Sequence, residues 1–310
     1  MLKDKARTMM TLTDIALRKI IHRLIKGQDY RVEIVTLINS EFLQYAIDFF
    51  RRIVEARLRN QTVTTDWYKA EFLNPNIATD ELIINSGLNK KTISNMYNSA
   101  RREIVLEATV EHYKQLYETI NDLVEQGSDI DITLTLKLNG VSVDLNINES
   151  LIVINTLAVK RAELRGGAWS TVGKKVEKVL MLVLCRLYGV PKNNYELRGV
   201  SDQQREVDFY LLNNQHRYLC EVKLMGKGNP ESADATIARD SNVFIADKLS
   251  ELNKRQLTQR GIKWVELRNR NGYAKFEKIL QELDIPHQQL IGDNDEILDT
   301  ILNDLLKNEH

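Results

Sequence analysis

Two acidic residues and a lysine lie inside short apolar runs near the middle of the chain. Asp208 lies in the first of two such runs, and Glu221 and Lys223 lie in the second. An ionised side chain among valines and leucines is costly unless it pairs or holds a metal. Because side chains alternate faces along a strand, Asp208 shares a face with Glu206, and Glu221 shares a face with Lys223.

The polar segment between the two runs decides which acids meet. A two-residue turn at Asn214–Gln215 places Asp208 directly opposite Glu221. A turn at Asn213–Asn214 places Glu206 there instead. Either register brings two acids together across a hairpin, where like charges destabilise the pairing unless a cation lies between them. The pattern therefore predicts a site for a divalent ion bound through oxygen, and the alternative is an edge hairpin whose charges face water.

The spacing of these residues resembles the active-site signature of the PD-(D/E)xK nuclease superfamily. Asp208 matches the first acid, Glu221 the second acid and Lys223 the lysine, while Val207 stands where a proline often precedes the first acid. The resemblance implies that Asp208 and Glu221 hold Mg²⁺ and that Lys223 orients the attacking water and stabilises developing charge. It also implies hydrolysis of DNA phosphodiester bonds to 5′-phosphate and 3′-hydroxyl ends, a reaction that metal ions commonly assist.

Glu177 is a further candidate catalytic residue, on a helix predicted ahead of these strands. In many members of the superfamily a glutamate of the core helix points at the metal. Alternatively, Glu177 forms an ion pair with Lys174, one helical turn away. Glu206 is the weaker candidate for the same role.

The segments around these residues predict an α/β fold. Apolar residues at helical spacing predict a helix from Ser170, as the N-cap, to Tyr188, with Gly189 as the stop. The order helix, three strands, helix, strand, helix, strand is similar to the αβββαβ core of the superfamily over about Trp169 to Leu267, and its crossover implies a parallel strand pair. We expect a mixed central sheet of about five strands with flanking helices, with strands at 195–199, 206–212, 218–224, 243–246 and 262–267 and helices at 230–239 and 250–260.

The chain is predicted to contain two domains. Residues 1–127 form a mostly α-helical domain that binds DNA or dimerises, and its first helix begins at a capping box of Thr11 and Asp14. Residues 128–310 form the nuclease domain, which begins with a β-hairpin that turns at Asn139–Gly140 and ends with an acidic helix. The apolar face of that helix packs on its own chain or on a second subunit.

Residues 79–96 resemble a helix-turn-helix, with a turn glycine at Gly87 and Ile93 facing inward. Ile83 stands where that motif favours a small residue, so a plain helical hairpin is the alternative. If the segment binds DNA, its outward polar residues are contact candidates: Asn89, Lys90, Lys91, Ser94 and Asn95.

A second set of candidate DNA contacts precedes the strands. Arg165, Lys174 and Lys175 are predicted to contact the DNA backbone, and Gly166 and Gly167 would let the main chain approach a phosphate closely. The alternative is that these charges at the start of a helix are simply solvated.

Charge is balanced over the chain but unevenly distributed. The 310 residues carry no formal net charge, which argues against a protein that coats nucleic acid indiscriminately. Residues 1–60 carry 12 Lys or Arg against 7 Asp or Glu, whereas the last thirty carry 8 acids and only Lys307 as a base. Locally basic segments without excess total charge suit a DNA enzyme that seeks a specific site.

Composition gives further bounds. No apolar stretch is long enough to cross a bilayer and the N-terminus lacks a secretory signal, so we expect a cytoplasmic protein. The two cysteines, Cys185 and Cys220, lie in apolar segments and suggest neither zinc nor a disulfide.

These patterns and the resemblance predict a type II restriction endonuclease that cuts double-stranded DNA with Mg²⁺. A homodimer is expected because such targets are usually palindromes and each subunit cuts one strand. Two alternatives stay open: a DNA-repair or transposon-end nuclease of the same fold, and a non-enzymatic helix-turn-helix regulator.

Overall fold

The computed structural model describes residues 11–59, 65–88, 93, 95, 101–126, 133–138, 140–199, 207–224, 241–291 and 294–307. Side chains are not described at 65, 66, 138, 168–171, 198, 199, 207, 208 and 294. The predicted helix at 230–239 lies outside the described residues. In the described part, the helices are α1 (Leu12–Ile25), α2 (Arg31–Leu58), α3 (Thr65–Phe72), α4 (Thr79–Asn85), α5 (Arg102–Gln126), α6 (Ile147–Leu187), α7 (Glu251–Gln259), α8 (Lys275–Glu282) and α9 (Asn294–Lys307).

The strands form two sheets. A hairpin of β1 (Leu134–Leu138) and β2 (Val141–Leu145) is separate from a five-stranded mixed sheet. The five-stranded sheet has the order β3-β4-β5-β6-β7, and its strands are β3 (Tyr195–Gly199), β4 (Val207–Leu212), β5 (Arg217–Lys223), β6 (Val243–Ala246) and β7 (Lys263–Glu266).

The strand directions divide the five-stranded sheet into two halves. β3, β4 and β5 are antiparallel neighbours, whereas β5, β6 and β7 run parallel. The prediction of a mixed sheet of about five strands with flanking helices is therefore confirmed. Because the three parallel strands point the same way, they end at one edge of the sheet, which we call the C-terminal edge.

One face of this sheet belongs to the apolar core. Phe209, Leu211, Cys220, Val222 and Ile245 point to that face and are almost fully buried. Cys185 of α6 is also buried and lies close to Cys220, so that the two cysteines are core residues as predicted. Burial raises the pKa of the Cys220 thiol to about 12.

Helix α6 begins much earlier than the sequence predicted. The expected N-cap at Ser170 is wrong, because the helix starts at Ile147 and continues through Gly166 and Gly167. Its true start is a reciprocal cap, in which the Asn146 side chain accepts from the Glu149 N–H at 2.9 Å and the Glu149 carboxylate accepts from the Asn146 N–H at 2.9 Å. The two glycines, which were expected to precede the helix, therefore lie inside it.

The chain forms two compact units, 1–37 with 168–310 and 38–167, and it passes from one to the other within α2 and within α6. The division into a helical domain, 1–127, and a nuclease domain, 128–310, stays a prediction. In unit 38–167, Tyr68 stacks on Tyr113 with ring centroids 4.7 Å apart, and its hydroxyl donates to the Asn85 carbonyl at 2.7 Å.

The segment after α4 has the predicted turn. Gly87 has a φ of +84°, which suits a residue without a side chain. Ile83 on α4 and Ile93 beyond the turn are both buried. The helical residue Asn95 is exposed.

In the other unit, α1 packs on α9. The predicted capping box is confirmed, since Thr11 Oγ1 accepts from the Asp14 N–H at 3.1 Å. His22 Nε2 lies 2.9 Å from Asp299 Oδ1. Leu302 of α9 is fully buried. The acidic helix therefore packs on its own chain. Among the helices that the structure describes, none is long and apolar enough to span a membrane.

Candidate active site

The β4–β5 hairpin sets the register of the predicted catalytic residues. The Asn213 N–H donates to the His216 carbonyl at 3.1 Å, and the Asn213 side chain accepts from the N–H groups of Gln215 and His216. The two-residue turn is therefore Asn214–Gln215, the first of the two predicted alternatives.

This turn determines which residues continue the two strands. The last described pair of the β4–β5 ladder is Phe209 with Cys220. The next residue along each strand is Asp208 on β4 and Glu221 on β5. The side chain of Asp208 and the whole of Glu206 lie outside the described residues.

Glu221 and Lys223 meet on one face of β5, as the alternation of the strand predicts. Lys223 Nζ lies 3.6 Å from Glu221 Oε1. Glu221 is 9% exposed, and its neighbour across the parallel ladder, Phe244, is fully buried. The Lys223 side chain is 33% exposed. A buried carboxylate therefore lies beside an ammonium group that still reaches solvent.

The donor set at this position suits a hard cation. No group of three or more His, Cys, Asp or Glu side chains with metal-binding geometry occurs among the residues that the structure describes. Mg²⁺ does not need such a group, since it keeps several waters and is often bound through one or two carboxylates. Glu221, with Asp208 beside it in the strand register, could therefore hold this ion.

The other predicted site residues lie on α6 and after α4. Glu177 is half-buried on α6, whereas Arg165, Lys174 and Lys175 are exposed on the same helix. Thus the structure brings Glu221 and Lys223 into contact, and it places Asp208 next to them by backbone position. Asn95 is exposed. The four remaining predicted DNA contacts lie outside the described residues: Asn89, Lys90, Lys91 and Ser94.

An ionic network that the sequence did not reveal lies at the C-terminal edge. Asp247 directly follows β6 and is 1% exposed. Arg268 Nη2 lies 3.0 Å from Asp247 Oδ2, and Arg268 Nη1 lies 3.2 Å from Asp29 Oδ2. The Arg31 guanidinium, which also binds Asp29, holds the pKa of that carboxyl well below its usual range. The network therefore joins the segment after β7 to the turn between α1 and α2.

That turn also contacts the end of β5. The buried Tyr30 hydroxyl donates to the carbonyl of Leu224, the residue after Lys223, at 3.4 Å. Gly27 has a φ of +69°, and a Cβ at this position would lie 2.6 Å from the Asn269 carbonyl oxygen. The backbone of the turn thus rests directly on the segment that follows β7.

Glu266 ends β7 at the same edge but has a structural role. Its carboxylate accepts from the Leu249 N–H at 3.0 Å and from the Asn269 side chain at 2.9 Å, and Lys254 Nζ lies 2.9 Å away. Burial acts to raise the pKa of Glu266, but these donors outweigh it and lower the pKa below its usual value. Both oxygens are engaged, so Glu266 is not a metal-binding candidate.

Large sequence separations explain why local patterns do not predict the contacts at this edge. More than 190 residues separate Tyr30 from Leu224 and Asp29 from Arg268. The one signal available was the appearance of Asp247 and Lys248 directly after a fully apolar strand. Polar residues at the carboxyl ends of parallel strands often line a binding site.

One comparison with known proteins identifies a family. The model of the CfrBI restriction endonuclease family matches residues 14–254, which is more than half of the chain and includes Asp208, Glu221 and Lys223. No curated protein and no solved structure matches the chain significantly.

Proposed function

Because this chain belongs to the CfrBI restriction endonuclease family, and is thus a type II site-specific deoxyribonuclease, we propose that it cuts double-stranded DNA with Mg²⁺ at a PD-(D/E)xK site. Asp208, Glu221 and Lys223 form that site. The observation that carries the proposal is the approach of Lys223 Nζ to within 3.6 Å of Glu221 Oε1 on one face of β5. The family match favours a restriction enzyme over a repair nuclease and over a non-enzymatic regulator.

The order of the elements supports this type of core. The C-terminal half of α6 precedes the antiparallel strands β3, β4 and β5, and the parallel strands β6 and β7 follow, with α7 between them. In this arrangement the first acid stands near the start of β4 and the second acid near the end of β5. Antiparallel pairing therefore brings the two acids to the same edge of the sheet.

The residues would divide the work as follows. Asp208 and Glu221 would hold Mg²⁺ through carboxylate oxygens. When bound, the ion supplies the positive charge that offsets the negative charge of the phosphodiester. The Lys223 ammonium would donate a hydrogen bond to the attacking water and stabilise charge that develops on the phosphate. The products of this reaction are a 5′-phosphate and a 3′-hydroxyl.

Glu177 and the exposed cations of α6 complete the proposal. Glu177 is half-buried and would direct a further carboxylate toward the ion, with an ion pair to Lys174 as the alternative. Arg165, Lys174 and Lys175 are exposed and would contact the DNA backbone. The polar residues after Gly87 would contact phosphates or base edges: Asn89, Lys90, Lys91, Ser94 and Asn95.

We propose a homodimer that acts in the cytoplasm. A palindromic target has two-fold symmetry, so that two identical subunits can each cut one strand. Light scattering of the purified enzyme tests this point, and a monomeric mass in the presence of target DNA would contradict it.

The experiment that tests the function is a plasmid digest with Mg²⁺ and, in parallel, with EDTA. Discrete fragments with Mg²⁺ only are the expected result, and sequencing of their ends gives the recognition sequence. Ends that ligate without prior phosphorylation carry the expected 5′-phosphate. Unspecific degradation would indicate a nuclease of another type, and an intact plasmid in both reactions would contradict the proposal.

A further inference from the structure

Three cations follow the parallel strands at the C-terminal edge. Lys223 ends β5, Lys248 lies two residues after β6, and Arg270 lies four residues after β7. The strand ends are level with one another, because Lys223 pairs with Ala246 and Ala246 pairs with Glu266. The cations therefore follow one another along a single edge of the sheet, starting at the candidate active site.

Two of these cations face solvent. Lys248 and Arg270 are exposed, and neither forms an ion pair with any residue that the structure describes. Arg268, which lies between them in sequence, differs because it forms ion pairs with Asp247 and Asp29. Arg268 therefore links the strand ends through its ion pairs, whereas the exposed Lys248 and Arg270 can contact a ligand.

The backbone that carries these charges is held in place. The Arg268 N–H donates to the Asp247 carbonyl at 2.7 Å, and the Gly272 N–H donates to the Asn269 carbonyl at 2.9 Å. Asn271 adopts a left-handed conformation with a φ of 56°, which closes the turn after Arg270. A site whose main chain is ordered before binding loses less entropy when the ligand arrives.

We propose that Lys223, Lys248 and Arg270 form a phosphate-binding strip that holds the DNA backbone beside the scissile phosphate. Neighbouring strands are about 4.8 Å apart, so that β5 and β7 are separated by roughly 10 Å. One DNA strand advances about 3.4 Å along the helix axis per phosphate, so a strip of this length can contact more than one phosphate of the same strand. This inference rests on the proposed function, because it takes Glu221 and Lys223 as the point of cleavage.

The test is the salt dependence of DNA binding by the full-length protein. A fluorescein-labelled duplex is titrated in EDTA, so that binding is measured without cleavage, over a series of KCl concentrations. Each lost phosphate contact makes the negative slope of log Kobs against log [KCl] shallower by about 0.9. Lys248→Gln and Arg270→Gln should each reduce the steepness of the slope by this amount, and the double variant by about twice as much.

Matched controls separate local contacts from general charge effects. Arg255→Gln on α7 and Lys278→Gln on α8 remove exposed cations from helices and should leave the slope unchanged. Lys248→Arg and Arg270→Lys retain the charge and should retain the wild-type slope. Equal thermal unfolding of all variants verifies that the fold is intact.

The outcomes distinguish the strip from the function on which it rests. A wild-type slope in the double variant, or an equal loss in the helix controls, overturns the strip while the plasmid digest still supports the nuclease. A wild-type protein that neither binds the duplex nor cuts the plasmid overturns the proposed function, and the strip with it.

Discussion

Replacing Glu221 by glutamine tests the proposed mechanism with the smallest change of shape. The substitution keeps the size of a side chain that is 9% exposed, but it removes the carboxylate charge that would hold the metal. We expect cleavage to fall by at least about a thousandfold, which corresponds to roughly 4 kcal/mol of barrier height. DNA binding in EDTA should not weaken, because the change removes a negative charge near the phosphates.

The structure also predicts a small effect of this change on stability. Lys223 Nζ lies 3.6 Å from Glu221 Oε1, where two unit charges attract each other by roughly 4 to 5 kcal/mol at an effective dielectric constant of about 20. Desolvation of a buried carboxylate costs several kcal/mol, which offsets this gain. Because the Lys223 side chain is 33% exposed and stays hydrated after the change, we expect the free energy of unfolding to shift by less than about 1 kcal/mol.

The control for this variant is Glu196→Gln. Glu196 is on the same face of the same sheet, since it pairs with Tyr210, and its carboxylate lies 3.1 Å from Arg217 Nη2. It is far more exposed, at 38% of its side chain, and it has no place in the proposed site. The assay is cleavage of supercoiled plasmid under single-turnover conditions, with unfolding in urea alongside. Cleavage by folded Glu221→Gln within tenfold of Glu196→Gln would refute the reasoning.

Three further predictions follow from other parts of the molecule. Asp208→Ala and Lys223→Ala should each abolish cleavage while the protein still retards DNA on a gel, and retained cleavage would remove these residues from the mechanism. Cys220→Ser should lower the free energy of unfolding in urea by about 1 to 3 kcal/mol, because it buries a hydroxyl in an apolar core. A loss of turnover at unchanged stability would contradict the role of Cys220 as a core residue. Asp29→Asn should destabilise the protein at neutral pH, since Arg31 lowers the pKa of Asp29. The deficit relative to wild type should be constant above the unfolded-state pKa of about 3.9 and shrink as the pH falls below it. A deficit that persists in acid would show that the charge of Asp29 is not what stabilises the turn.

Features fixed by a few neighbouring residues were predictable from the sequence. The capping box of Thr11 and Asp14 marks the start of α1, and the glycine turn at Gly140 joins β1 to β2. Glu221 and Lys223 share one face of β5 because side chains alternate between the two faces along a strand. These predictions succeeded because a cap, a tight turn and a strand face depend on residues only one to three positions apart.

Local pattern was misleading at the start of α6. Ser170 was expected to be the N-cap, with Gly166 and Gly167 ahead of the helix, yet each glycine inside a helix costs only about 1 kcal/mol relative to alanine. The helix instead begins at the cap formed by Asn146 and Glu149, whose Asn-x-x-Glu spacing is itself a helix-start signal. A long helix with many buried residues can absorb the two glycines because packing contributes more than intrinsic propensity.

Contacts between distant segments were beyond any local pattern. The bond from Tyr30 to Leu224 and the ion pair of Asp29 with Arg268 join residues that only the folded chain brings together. A sequence shows that such residues are polar, but it does not show which of them meet.

The close approach of Gly27 to Asn269 restricts which residues position 27 can accommodate. Even an alanine methyl group would clash, because its carbon would lie 2.6 Å from the main-chain oxygen of Asn269, and a backbone oxygen cannot move as a side chain can. The α1–α2 turn would then have to move away from the strand ends, and Tyr30 would lose its hydrogen bond to the Leu224 carbonyl. We therefore expect that any residue other than glycine at position 27 shifts the main chain of this turn.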